Sequence, residues 1–445
     1  MAQVFVTTGD RAKLLERQSD LRPDARATGG GITIDLDPSR DFQEMVGFGA
    51  ALTDASAWLM QHRLSGTQRE ALLQDLFSTS SGGAGFSFTR LDMGASDFSL
   101  RHYSYDDMPV GATDPSLAHF SIDADRAETI PILKRALAIN PALAVMASPW
   151  SAPAWMKTTG SMIKGTLRPE AYGPFAEYFR RFIEAYASEG IPMYAITVQN
   201  EPHYEPNDYP GMRLDPATRA KFIGQYLGPL FQRSGIRTRI LDWDHNWDEP
   251  ASPLAVLGDS VARRFVAGVA WHCYGGDVAA QGTVRDAHPD KDVYFTECSG
   301  GNWAPKFSDN LVWTVQKLIV GGTRNWARGV LMWNLALDEQ HGPHSGGCGD
   351  CRGVVTIAGD GSVTRNEEYY ALAHASRFVR RGARRVASSD ATGGIENVAF
   401  RNPDGSLAAI IVNTNATGTS FAVRSRTGSY RYTLPGASVA TLVWK

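Results

Sequence analysis

Two glutamates stand at the ends of apolar runs. Glu201 closes MYAITVQNE (193–201) and Glu297 closes DVYFTE (292–297). Two carboxyl groups facing one cavity can break an acetal. One protonates the leaving oxygen while the other captures the developing oxocarbenium ion, and a separation of ~5–5.5 Å permits a covalent intermediate with retention. The acid must keep its proton at neutral pH through burial or a nearby negative charge. The nucleophile must stay ionised among hydrogen-bond donors. Glu201 is expected as acid/base and Glu297 as nucleophile, with Arg90 and Tyr274 as donors to Glu297.

Other residues near these ends suit a sugar. Trp150, Trp155, Trp303 and Trp333 follow apolar runs, where indole rings stack on apolar sugar faces while Asp and Asn fix hydroxyls. Asn200 precedes Glu201, and His272 ends VAWHCY (269–274) beside Tyr274. Asp54 is the candidate for clamping sugar hydroxyls; its alternative is to cap a helix starting near Ala55. Trp58, Trp313 and Trp444 read as core or interface. His203, His245, His341 and His344 fall in loops.

Something must aim all of these at one place. Five further apolar runs join the three above: VGFGAAL (46–52), FSFTRLDM (86–93), ALAVMASPW (142–150), RTRILDWD (237–244) and GVLMWNLAL (329–337). Eight strands close a parallel barrel, whose strand ends share one C-terminal face. Amphipathic segments alternate with them, as β/α units require. In PFAEYFRRFIEAYASEG, Phe175, Tyr178, Phe179, Phe182, Ile183 and Tyr186 recur at helical spacing, and Gly190 ends it. Residues 67–77, 126–139, 216–233 and 309–322 are the other helix candidates. The flanks alternate as β structure, at 30–36 and from about Arg384 onward, with Asn402-Pro403-Asp404-Gly405 as a turn. The class is therefore α/β, an eight-stranded (β/α) barrel over 46–380. Residues 1–45 and 381–445 are expected to form a side β-sandwich.

Composition narrows the partners. The chain has 445 residues with net charge −3 and no basic cluster, so neither nucleic acid nor an anionic membrane surface is expected. No apolar run reaches the ~18–20 residues of a membrane span. MAQVFVTTGDRAKLLERQ lacks a charged segment leading into an apolar one. The chain is thus expected to be cytoplasmic, or secreted or periplasmic after losing a leader, and a polymeric or lipid substrate favours the second. H-E-x-x-H, G-x-S-x-G, Walker A and G-x-G-x-x-G patterns are absent, so no cofactor and no metal are expected. Cys348 and Cys351 read as a loop staple or ordinary thiols. Cys273 and Cys298 read as small apolar residues on buried strands.

Several ordered blocks resemble glycoside hydrolase family 30, which includes the lysosomal glucosylceramidase and bacterial relatives. They are Gly47-Phe-Gly-Ala-Ala-Leu-Thr-Asp54, Ser96-Asp-Phe-Ser, Ala147-Ser-Pro-Trp-Ser-Ala-Pro-Ala-Trp-Met-Lys157, Gln199-Asn-Glu-Pro202, Thr296-Glu297 and Trp333-Asn-Leu-Ala-Leu337. The resemblance runs from about residue 30 to the C-terminus. It implies a barrel with a sandwich built from both termini, a retaining mechanism, and Glu201 and Glu297 in the roles above. It further implies that Asp54, Trp150, Asn200, Tyr274 and Trp333 hold a β-glucose. The segment His341-Gly-Pro-His-Ser-Gly-Gly-Cys-Gly-Asp-Cys-Arg352 resembles bacterial and fungal members similar to β-1,6-glucanases. The expected partner is a β-glucoside: a β-1,6-glucan or gluco-oligosaccharide first, glucosylceramide or a small β-glucoside second. Xylan and a non-catalytic carbohydrate-binding barrel are the remaining alternatives.

Overall fold

The computed structural model describes residues 1–24, 31–80, 82–426 and 428–445. All eight expected barrel strands are present. In chain order they are β1 (Gly47–Ala51), β2 (Phe88–Asp92), β3 (Ala144–Ser148), β4 (Met193–Thr197), β5 (Arg239–Asn246), β6 (Val266–His272), β7 (Asp292–Glu297) and β8 (Ala327–Asn334). They pair in parallel, β1-β8-β7-β6-β5-β4-β3-β2. Backbone bonds from Ser87 N to Phe48 O and from Leu52 N to Arg90 O join β1 to β2 and close the ring.

The period-two geometry of a strand sets the interior. Phe88, Met146, Ala195, Ala270, Tyr294 and Leu331 form a buried apolar layer inside the barrel. Two residues further along the same strands stand Arg90, Ser148, Thr197, His272, Thr296 and Trp333. One strand repeat thus places a polar layer above an apolar plug, at the face where barrel sites form. Register shifts between Phe295 and Glu297, Trp243 and His245, and Met332 and Asn334 fall in this upper layer. Such bulges re-aim side chains at strand ends.

The expected helices form near their predicted limits, as Gly66–Phe77, Thr129–Ile139, Tyr172–Ser188, Pro216–Ser234 and Phe307–Arg324. The last two contain π segments, Phe222–Leu227 and Thr314–Gly321. Among the helices beyond these, Glu367–Ser376 is buried on all sides, so it lacks the polar stripe that marks a surface helix.

The β-sandwich uses both termini. Strand Ile32–Glu44 pairs antiparallel with Arg384–Ser388 through its second half and parallel with Thr419–Ser425 through its first, so it spans two layers. Gln3–Thr7 pairs with Ser438–Trp444. Val4, Val6, Ile34, Ile411, Phe421 and Trp444 pack between the layers. The Asn402–Gly405 turn forms as expected: Gly405 N donates to Asn402 O at 2.9 Å, and Gly405 takes φ 81°. Position 30 of the expected flanking strand lies outside the described residues. No helix is long and apolar enough to cross a membrane, among the described residues.

Candidate active site

Arg90 is fully buried within β2, and its guanidinium ties three carbonyl-type groups together. Nη1 donates to Glu297 Oε2 at 2.5 Å, and Nη2 donates to Asn200 Oδ1 at 2.6 Å and to Asp244 Oδ2 at 2.8 Å. The guanidinium also lies 4.7 Å from the Trp150 ring and 5.6 Å from the Trp333 ring. Those rings stack at 5.0 Å. A buried cation survives only with such partners. Tyr274 Oη donates to Glu297 Oε1 at 2.9 Å, so both expected donors reach Glu297.

Asp244 is the hub of the polar layer. Its Oδ2 accepts from Arg90, Ser148 and Thr197, and its Oδ1 accepts from Thr296 and faces His272 Nε2. The donors come from β2, β3, β4, β6 and β7, and its carbonyl accepts the Glu201 N–H at 3.0 Å. Glu201, Trp243 and Asp244 all have positive φ, at 46°, 77° and 54°. Backbone strain of this kind costs about 1–3 kcal/mol per residue and persists where surroundings over-determine it.

His272 lies between the two acids. Its Nδ1 is 3.0 Å from Glu201 Oε1 and 3.9 Å from Glu297 Oε1. Burial pushes Glu297 up, against the opposing pull of His272 and Arg90. Glu201 moves the other way: burial opposes its charge, but the His272 hydrogen bond and the charges of His245 and His272 outweigh it. Burial disfavours a charged His272, yet the surrounding carboxylates lift it to about 9. The two glutamate shifts run opposite to the sequence-based expectation: burial raises Glu297, and the bond to His272 with the nearby histidine charges lowers Glu201. Asp244, though buried, is held far below the carboxylate range by Arg90, His272 and Thr197. His272 Nε2 therefore keeps a proton toward Asp244, and one further proton is shared between His272 Nδ1 and Glu201. The lowered Glu201 and raised His272 are two ends of that one titration.

The cavity above these groups holds about 440 Å³. One end is enclosed by Asp97, Trp150, Asn200 and Trp333, all buried. The other is open, edged by Tyr204, Tyr274 and Trp303, whose rings are exposed. An enclosed polar end with a Trp floor suits one sugar ring, and an exposed aromatic rim suits whatever is attached to it.

Seven of the nine singled-out residues converge on this cavity or its polar floor: Arg90, Trp150, Asn200, Glu201, Tyr274, Glu297 and Trp333. His272 joins them beneath Glu201. Asp54 does not. It opens the helix Asp54–His62, where Thr53 makes the cap, and its carboxylate accepts from Tyr103 Oη at 2.9 Å. It lines a separate cavity with Trp58, Arg101 and Glu128. Two aspartates line the catalytic cavity instead, Asp208 and the buried Asp97, which belongs to the Ser96-Asp-Phe-Ser block after β2. Burial and the charges of Glu297 and Glu201 push Asp97 up to about 8, so it is a hydroxyl donor at neutral pH. Trp155 also lies elsewhere, donating to Asp106. Asp97, Asp244 and Tyr209 were not singled out from the sequence. Asp97 follows β2, and Asp244 ends the apolar run 237–244, the same signal that marked Glu201 and Glu297.

The cysteines need correction too. Cys273 and Cys298 form a disulfide, because adjacent β6 and β7 end side by side and bring their Cα atoms to 5.4 Å. Cys348 and Cys351 form the loop staple, and both line the cavity. Glu201, His272 and Glu297 each offer a metal-ligand atom within 4.8 Å of the others, among the described residues. These atoms are already engaged by one another, and Arg90 sets a fixed positive charge against Glu297, which opposes a second cation.

Residues 45–379 match the glycosyl hydrolase family 30 TIM-barrel domain, and residues 382–442 match the glycosyl hydrolase family 30 β-sandwich domain. The chain is 34% identical to endo-1,6-β-D-glucanase BGN16.3 of Trichoderma harzianum, covering 86% of this chain and 80% of that one. It is 30% identical to the lysosomal acid glucosylceramidase of Mus musculus, over 95% of this chain and 85% of that one. The solved structure of the endo-β1,6-glucanase BT3312 superposes with a TM-score of 0.92 at 33% identity, covering 100% of this chain and 99% of that chain. The chain belongs to glycosyl hydrolase family 30 and is a glycoside hydrolase.

Proposed function

We propose that this enzyme cleaves β-1,6-linked glucan with retention, through a glycosyl intermediate on Glu297. One observation carries the reading. Glu201 and Glu297 present carboxylate oxygens within 4.8 Å of one another over one cavity. Retaining pairs stand ~5–5.5 Å apart, while inverting pairs need ~6.5–9.5 Å for an intervening water.

In this reading the enclosed end takes the glucose, with Asp97 and Asn200 on its hydroxyls and Trp333 against its apolar face. Arg90 and Tyr274 hold Glu297 as the attacking anion. Glu201 passes the one proton it shares with His272 to the leaving oxygen, which leaves Glu201 as the carboxylate and the ring neutral at Nδ1. With Glu297 esterified and its charge gone, that carboxylate then takes a proton from the attacking water. The endo-1,6-glucanase relatives and the C-x-x-C loop beside the cavity support β-1,6-glucan. The two disulfides support action in an oxidising compartment outside the cytoplasm.

The near-complete span shared with lysosomal acid glucosylceramidase favours glucosylceramide as the second reading. Wild-type enzyme should release glucose or short β-1,6 oligomers from pustulan, with the β-anomer first in proton NMR, and leave glucosylceramide in detergent largely uncut. Preferred cleavage of glucosylceramide, or an α-anomer first product, would overturn the substrate or the stereochemistry respectively.

A further inference from the structure

A second cavity of about 440 Å³ adjoins the open end of the catalytic one. Tyr274 and Trp303 line both, so the two are continuous across a ridge of aromatic side chains. The Cys273–Cys298 disulfide lies in its wall, and Asp309 and Asn310 bring polar atoms to it. Trp303 is 55% exposed and Trp313, on the far side, is 39% exposed. Trp313, read from the sequence as core or interface, lines this hollow.

The aromatic positions are built. A Cβ on Gly301 would stand 2.1 Å from the Trp303 ring, so only glycine lets that indole lie against the backbone there. Trp313 immediately precedes the π segment Thr314–Gly321, and Thr314 also lines the cavity. Single π turns inside helices concentrate at functional sites. Exposed indoles with polar neighbours, set beside a sugar-sized cavity, are the chemistry of carbohydrate stacking.

We infer that this second cavity is a leaving-group-side subsite that holds a further glucosyl unit of the substrate chain, stacked on Trp313 beyond the Trp303 ridge. The inference rests on the β-1,6-glucan reading. A β-1,6 linkage has one torsion more than linkages through ring carbons, so its chain can bend over such a ridge. The occupant lies on the leaving-group side because the shared residues edge the open end, whereas the glucose-sized end is closed by Asp97, Trp150 and Trp333.

The test is kcat/KM for a β-1,6-gluco-oligosaccharide series of two to six units, for wild type, Trp313→Ala and Trp313→Phe. Wild-type efficiency should rise with length beyond the shortest members. Trp313→Ala should lower the ratio of hexamer to dimer efficiency roughly two- to tenfold, through KM, and Trp313→Phe should restore most of it. Fluorescence of the Glu297→Gln protein should respond to the hexamer and lose that response when Trp313→Ala is added. An unchanged ratio, or an equal fall for dimer and hexamer, overturns the subsite while leaving the β-1,6 reading intact. A fall confined to glucosylceramide makes the cavity a lipid groove and overturns it as well. If wild type cleaves no member of the series, the β-1,6 reading fails and the subsite fails with it.

Discussion

His272 Nδ1 lies 3.0 Å from Glu201 Oε1, while the opposite nitrogen of the same ring lies 3.0 Å from Asp244 Oδ1. Asp244 is anionic, so the ring holds one proton permanently and trades the other with Glu201. The proton needed by the leaving group thus belongs to a buried pair. The Glu297 charge, the first of the surrounding carboxylates to oppose burial, helps lift His272 to about 9.

That arrangement sets the alkaline limb of activity. The shared proton is retained up to about pH 9 and lost above it. In His272→Gln, Glu201 must hold its proton alone, and a lone carboxyl releases it at lower pH. The alkaline limb of kcat/KM on a β-1,6-linked disaccharide should therefore move toward acid, with a loss of roughly 10²-fold or more at pH 8. An aryl glucoside with an activated leaving group should suffer much less. An unmoved limb would show that Glu201 holds its proton without the ring.

The two glutamates should separate by chemical rescue. Glu201→Gln should lose roughly 10²–10⁴-fold on poor leaving groups. With an activated aryl β-glucoside, azide should restore its turnover and give the β-glycosyl azide, because azide needs no base. Glu297→Ala should be nearly inactive, and azide should give the α-glycosyl azide by direct displacement. Product configuration by NMR decides; an α-azide from Glu201→Gln would reverse the roles.

Asp244→Asn tests the hub. The variant keeps the shape but leaves Arg90 with one anionic partner fewer and offers a donor to groups that themselves donate. Breaking a buried ion pair costs about 3–5 kcal/mol. Because the substrate does not contact Asp244, kcat should fall with little change in KM, azide should rescue nothing, and the alkaline limb should shift acidward as in His272→Gln. Asp244→Asn with a wild-type pH profile would reduce the residue to a purely structural role.

The barrel was legible because each strand is buried on both faces and therefore runs apolar from end to end, as ALAVMASPW and GVLMWNLAL do. The strand-end glutamates were legible for the complementary reason: a carboxylate breaking such a run has no purpose in a core. Asp244 shares that signature. Its inward aim, however, depends on left-handed backbone at Trp243 and Asp244, which local composition does not announce. Asp97 and Asp54 both follow strands, and only the packed loops decide which reaches the cavity. The Cys273–Cys298 bridge joins residues 25 apart; nothing in that spacing signals pairing until β6 and β7 are known to be neighbours. Trp313 falls within an amphipathic stretch that reads as a buried face, and the hollow beside it is a property of the loops around it.

The Cys273–Cys298 bridge should matter to turnover. Cys273 adjoins Tyr274 and Cys298 adjoins Glu297, and the β6–β7 ladder ends at the His272–Glu297 pair. The disulfide thus takes over where backbone pairing stops. Closing a loop of this length contributes about 3 kcal/mol in the chain-entropy model. Cys273→Ser/Cys298→Ser should lower both melting temperature and kcat. Cys348→Ser/Cys351→Ser opens only a short loop, of sequence separation 3, and should cost less stability. Equal melting temperatures for the two double variants would count against the tether.

His374 gives the fold an acid-sensitive joint. It lies fully buried in the helix Glu367–Ser376, with Nδ1 2.9 Å from Thr441 Oγ1 and Nε2 2.9 Å from Thr7 Oγ1. Thr441 donates its own proton to the His374 carbonyl, so Nδ1 carries the ring proton and Nε2 accepts from Thr7. Burial lowers His374 to about 3. A lowered histidine contributes stability that is present above the unfolded value of ~6.5 and is lost as pH falls toward 3, at about 1.4 kcal/mol per pH unit. Urea unfolding at pH 7, 6, 5 and 4 should show the wild type losing stability more steeply than His374→Gln, by close to one proton in the difference slope. Carboxylates titrate alike in both proteins and cancel. Parallel slopes would place the acid sensitivity elsewhere, because the sandwich strands Gln3–Thr7 and Ser438–Trp444 meet the buried helix through this ring.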